Sequence, residues 1–120
     1  MTSSNDISIL FVPPKFDGKS NYEHWRSQMM ILFVSQEWLE VVEDGYDEPK
    51  GQQTPEEQKN LREWKKKNMK ALYCIMQAVE KSILHRIHRA KTSKESWDKL
   101  EETYKMESAV QKMKLQYLRL

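Results

Sequence analysis

Three sets of residues in this 120-residue chain could do chemistry by type and spacing: a histidine pair, a cysteine and several basic runs. His85 and His88 stand three apart, which on a helix puts both imidazoles on one side, at a spacing that can bind metal. No cysteine or carboxylate follows at a matching local offset, and Arg86 and Arg89 crowd the same turn with positive charge. The pair therefore reads as surface histidines at a basic helix end, and His24 as a polar-side residue of an earlier helix. Cys74 is the single cysteine, so it allows neither an intrachain disulfide nor zinc-finger spacing. Flanked by Tyr73 and Ile75, it reads as a small buried hydrophobe rather than a nucleophile. The neighbouring carboxylates of Glu56-Glu57 and Glu101-Glu102 point apart on a helix and suit first turns or solvated faces. Three glycines are too few for a glycine-rich phosphate loop. With no acid–base or nucleophile constellation to name, the expectation is a non-enzyme without cofactor, metal site or small-molecule substrate.

Basic residues are the remaining candidates for contact. Lys65, Lys66, Lys67 and Lys70 form one cluster; Arg86, Arg89 and Lys91 form another. Either could meet phosphates or the acidic surface of a neighbouring copy. The second also suits a helix C-terminus, where cations offset the macrodipole. The aromatics are not expected to interleave with these cations on an exposed face, so no base-stacking platform is expected. Charge is divided along the chain. Residues 1–60 carry 5 Lys/Arg against 11 Asp/Glu, and residues 61–120 carry 15 against 7. Such a division serves nucleic-acid contact or head-to-tail contact between copies.

These side chains must be held by helices. Residues 1–15 read as an extended arm, with the apolar run Ile7, Ile9, Leu10, Phe11 and Val12 stopped by Pro13-Pro14. Asp17-Gly18 is a turn, and Ser20 with Glu23 has the pattern of a capping box. Tyr22, Trp25, Met29, Leu32 and Phe33 then share one face of a helix over about 21–35. Trp38, Val41 and Val42 share the face of a shorter helix that Gly45 stops, and 44–53 is a polar loop. Thr54-Pro55-Glu56-Glu57 combines a second capping box with proline at the first helical position. Leu61, Trp64, Asn68, Ala71, Leu72, Ile75 and Val79 follow at helical spacing, with Met69, Tyr73 and Met76 as a second stripe. An apolar surface on two sides predicts a central helix. A short helix over 82–88 turns Ile83, Leu84 and Ile87 inward. Thr92-Ser93-Lys94-Glu95 is a third box, leading into Trp97, Leu100 and Tyr104. Ser108 with Gln111 is a fourth, leading into Val110, Met113, Tyr117 and Leu120, and that last helix reads as cut from something longer.

The fold class expected is all-α: a compact bundle of five to six helices over 16–120, preceded by the arm. Its expected core is Tyr22, Trp25, Met29, Leu32, Trp38, Leu61, Trp64, Leu72, Ile75, Ile87, Trp97, Leu100 and Tyr104. Hydrophobic residues at 38% and charged residues at 32% suit one soluble domain with a real core. The lone cysteine and the lack of a membrane-length apolar run point to the cytoplasm.

FDGKSNYEHWRSQMMILF followed by EWLEVVEDGYDEP resembles the N-terminal Gag segment of copia-type LTR retrotransposons of plants. Phe16, Gly18, Asn21, Tyr22 and Trp25 match its opening; Trp38, Val41 or Val42, Gly45 and Tyr46 match its close. Lys70-Ala71-Leu72, Ile75, Ile87, Lys94-Glu95, Trp97-Asp98, Leu100 and Tyr104 match the segment that follows. The resemblance implies a lobe like the N-terminal lobe of a retroviral capsid. It also implies self-assembly into particles around element RNA, with copies of itself as the main partner and RNA as a weaker one. The zinc knuckle that follows in such polyproteins is not in this sequence. A second reading is a domesticated Gag-like module that takes a host protein or peptide in a groove between helices, helped by Met29, Met30, Met69 and Met76. A third is RNA binding through the basic half.

Overall fold

A computed structural model describes residues 15–19, 21–47, 50–105, 113, 114 and 116. Among these it contains five α-helices and one π-helical turn, with no strand beyond a single bridge. The arm up to residue 14, Ser20 and the fourth capping box lie outside the described residues. So do Val110, Tyr117 and Leu120. Of that last apolar set, Met113 is described and is exposed.

Helix α1, Tyr22–Ser35, starts one residue later than a Ser20 cap would place it. Asn21 is the cap, its side-chain oxygen accepting the His24 N–H at 3.3 Å. Asparagine serves as well as serine here, and burial of Tyr22 in the first turn sets the start. Tyr22, Trp25, Met29, Leu32 and Phe33 are the buried face. The helix ends in a Schellman motif: the Trp38 N–H donates to the Phe33 carbonyl at 2.8 Å and the Glu37 N–H to Val34 at 3.2 Å. Glu37 holds the left-handed position with φ 62°, which glycine usually fills and which costs another residue about 1 kcal/mol. Helix α2, Leu39–Glu43, buries Val41 and Val42 beside Trp38. Gly45 follows at φ 71°, and a Cβ there would lie 3.1 Å from Lys94 Cδ.

Helix α3, Pro55–Gln77, opens on a complete capping box. Thr54 Oγ1 accepts the Glu57 N–H at 3.1 Å, and Glu57 Oε1 accepts the Thr54 N–H at 3.3 Å. Its 23 residues span about 35 Å. Asn68, Ala71, Leu72, Cys74 and Ile75 are its buried residues, all in the second half. The helix is therefore not central. Met69 and Tyr73 face outward, and only Met76 of the second stripe packs partly on the core. Leu61 and Trp64, expected in the core, are half-buried and outside the main cluster. The physical reason is length. The first turns of α3 are mostly exposed, and Trp64 in the third turn meets the Tyr46 ring of the loop after α2 at 5.4 Å.

Helix α4, Lys81–Ile87, buries Ile83 and Ile87. Helix α5, Ser93–Leu100, is capped by Thr92, which accepts the Glu95 N–H at 3.1 Å. The box is open, because Glu95 Oε2 accepts from the Lys91 N–H at 3.1 Å instead of turning back to Thr92. The chain continues into the π-helical turn Glu101–Lys105, which carries Tyr104 inward.

Phe16 ties this assembly together. Its N–H donates to the Ala78 carbonyl at 2.9 Å, and its carbonyl accepts the Glu80 N–H at 3.0 Å, a parallel bridge across the α3–α4 junction. The same Ala78 carbonyl accepts the Trp25 indole N–H at 3.1 Å, so both of its lone pairs are used. The Phe16 ring stacks on Trp25 at 5.2 Å and meets Tyr104 edge-on at 4.9 Å. Trp97 continues the chain of rings, 5.7 Å from Trp25 and 5.0 Å from Phe33. Gly18 turns the chain into α1 with φ 83°, its Cα side against Ile83, while Asp17 Oδ1 accepts the Lys19 N–H at 2.8 Å. A side-chain amide also bonds inside the lobe. Asn68 Oδ1 accepts both the Ser93 N–H at 2.8 Å and the Ser93 hydroxyl at 3.0 Å, joining α3 to the start of α5.

Candidate interaction surface

Each helix buries one face, so its other face is what a partner meets. On α3 the outward stripe is Lys66, Met69, Lys70 and Tyr73, with Lys65 beside it; all five are exposed, and Lys67 is half-buried on the flank. Met69 is 58% exposed and Tyr73 68%. This corrects the expectation that no aromatic interleaves with the basic residues. Tyr73 stands three residues from Lys70, one helical turn away on the same face. Arg86, Arg89 and Lys91 are exposed where α4 ends, as a separate basic group in the sequence.

Helix α1 presents a second surface. Ile31 is 65% exposed and Val34 60%, opposite the buried Trp25, Met29 and Leu32. Exposed His24, Ser27 and Ser35 lie on that face, with the half-buried Glu23 one turn before Ser27. Glu37 follows at its end, then Glu40, Glu43 and Asp44, all exposed. Sequence reasoning passed over Ile31 and Val34 because the bulkier opposite face dominates the periodicity. The signal was there, since two β-branched apolar residues three apart among small polar ones have no core-facing role.

The groups with chemical potential are placed as follows. His85 and His88 are exposed at the α4 end, rings 6.1 Å apart, with His88 Nδ1 donating to the His85 carbonyl at 2.8 Å. That bond leaves Nε2 as the accepting nitrogen of His88 in its neutral form. Among the described residues no three His, Cys, Asp or Glu side chains gather to hold a metal ion. Cys74 is buried, and burial pushes its thiol up to about 11. It should therefore stay protonated at pH 8, and a disulfide reagent should label it at that pH only as fast as the lobe opens. Labelling of native protein at the rate seen in 6 M urea would contradict the burial. Burial likewise raises the Tyr22 phenol above its ordinary range, with the charge of Glu101 adding to the effect. Arg26 pairs with Glu101 and links α1 to the π-helical turn. The site is partly solvated, so the contribution of that pair is small.

The lobe has a closed aromatic core with two outward apolar pairs, one bordered by amines and one followed by carboxylates. Among the described residues no helix is long and apolar enough to cross a membrane. The family whose model matches the chain is described as gag-polypeptide of LTR copia-type, over residues 29–119. No curated protein and no solved structure matches it. The matched range begins inside α1, so Phe16, Gly18 and Trp25 lie before it.

Proposed function

The chain belongs to the gag-polypeptide family of LTR copia-type elements, and from that premise we propose that it is a lobe of a cytoplasmic particle shell, associating with further copies of itself around element RNA. A Gag polypeptide has a structural role. The proposal adds that this lobe, built like the N-terminal lobe of a capsid, makes repeated weak contacts through its surface. The observation that carries it is the pair of exposed apolar sites, Met69 with Tyr73 and Ile31 with Val34, on a lobe whose core is already filled by Phe16, Trp25, Phe33 and Trp97. Contiguous exposed apolar side chains rimmed by polar ones are the feature by which interaction sites are recognised.

Sedimentation velocity or multi-angle scattering tests it. Weight-average mass should rise with protein concentration and change with salt. A strict monomer at all concentrations and salt levels would overturn the proposal.

A second reading is single-stranded RNA contact through α3, favoured by the exposure of Tyr73 beside Lys66 and Lys70. It expects affinity for a labelled oligoribonucleotide that falls steeply with salt and is lost when Lys65, Lys66 and Lys67 become glutamate.

A further inference from the structure

Two unpartnered apolar sites of opposite electrostatic setting occur on one chain. Lys66 and Lys70 border Met69 and Tyr73 on α3; Glu37 closes the helix that carries Ile31 and Val34. We propose that these two sites bind each other between copies: the Ile31–Val34 face of one chain docks on the Met69–Tyr73 stripe of the next, with Glu37 set against Lys66. This rests on the self-association proposed above and assigns its surfaces.

Charge selects this pairing over the symmetric ones. Docking the α3 stripe on its own copy would bring Lys65, Lys66 and Lys70 against the same three amines, and like charges at close range oppose association. Docking the α1 face on itself would bring the two Glu37 carboxylates and their acidic neighbours together. The crossed pairing buries apolar surface on both sides and sets carboxylate against amine. It is also heterologous, so every bound copy still offers one free site of each kind, and growth continues until a ring closes or a lattice forms.

Glu37 adds an independent argument. It holds a left-handed φ of 62°, where glycine would be unstrained. Its carboxylate thus stands at the end of the apolar face at a backbone cost that nothing in its own helix recovers: Glu37 forms the Schellman bond through its main chain, not its side chain.

The test uses the 120-residue chain and two substitutions at exposed positions, Val34→Asn and Tyr73→Glu. Each should raise the apparent dissociation constant for self-association at least tenfold, with unchanged far-UV circular dichroism. Mixed in equal amounts, the two variants should form a 1:1 dimer that does not grow, because the mixture contains one intact pair of surfaces per two chains. Glu37→Gly, which relieves the backbone, should keep or raise thermal stability while weakening association. A wild type that associates, with a mixture that stays monomeric or variants that associate like wild type, would overturn this pairing and leave the wider proposal standing. A wild type that never associates would overturn both. If Tyr73→Glu loses binding of a labelled single-stranded oligoribonucleotide and self-associates as before, the stripe is an RNA contact and the pairing is wrong.

Discussion

Replacing Trp97 by alanine should lower the stability of the lobe by about 3–5 kcal/mol. The side chain is 1% exposed and touches the rings of Trp25 and Phe33, which belong to α1, while it projects from α5. Truncation removes the transfer energy of an indole and leaves a cavity between two helices that can close only partly. Against a net stability of about 5–15 kcal/mol for a domain, this is enough to leave a large unfolded fraction at 37 °C. Urea unfolding followed by circular dichroism is the measurement, since removing one of the four tryptophans alters the fluorescence signal itself. Trp97→Phe should lose less, because a ring remains edge-on to Phe33. A Trp97→Ala loss under 1 kcal/mol would mean that the aromatic chain from Phe16 to Phe33 is not the core.

Asn68→Leu should cost about 2–4 kcal/mol although it adds an apolar side chain to a buried site. The native oxygen accepts two hydrogen bonds from Ser93, its backbone N–H and its hydroxyl, and Ser93 is fully buried. Leucine leaves both donors without an acceptor, and each unsatisfied buried donor costs about 1–3 kcal/mol. The backbone donor belongs to the first turn of α5, where N–H groups have no partner within the helix. Ser93→Ala alone removes only the hydroxyl and should cost less. In the double variant the costs should be less than additive, since alanine deletes one of the orphaned donors. Additive costs would show that the two residues do not interact in solution.

Asn68 also shows where sequence reading stops. Its helical phase among Leu61, Trp64, Leu72 and Ile75 placed it on the inward face of α3, and it is inward. Nothing local names Ser93 as its partner, twenty-five residues away. The same division runs through the turns and caps. Gly18 and Gly45 read as turn and stop, and both have positive φ. That Ile83 packs beside one and Lys94 beside the other is a long-range fact. Thr54 and Glu57 form the box their spacing predicts, because both bonds lie within one turn. Thr92 and Glu95 have the same spacing, yet Glu95 bonds Lys91, because the preceding turn offers a competing N–H.

The outward surface was the least legible. Periodicity ranks residues by how apolar they are, not by which side of a helix has a neighbour. Met69 and Tyr73 therefore read as a second inward stripe, and Ile31 and Val34 drew no notice beside Trp25, Met29 and Phe33. Both outcomes follow from α1 and α3 each having only one face covered.

The residue order alone determined that the described part of this chain is helical, where most helices begin and end, and which face of α1, α2, α4 and α5 turns inward. Those properties depend on contacts within one or two turns. Tertiary structure alone decided that Phe16 clamps the α3–α4 junction, that Trp64 serves a loop rather than the core, and that two apolar pairs remain uncovered. Such outcomes depend on which helix meets which face, and that is settled by filling one shared volume between elements far apart in the chain.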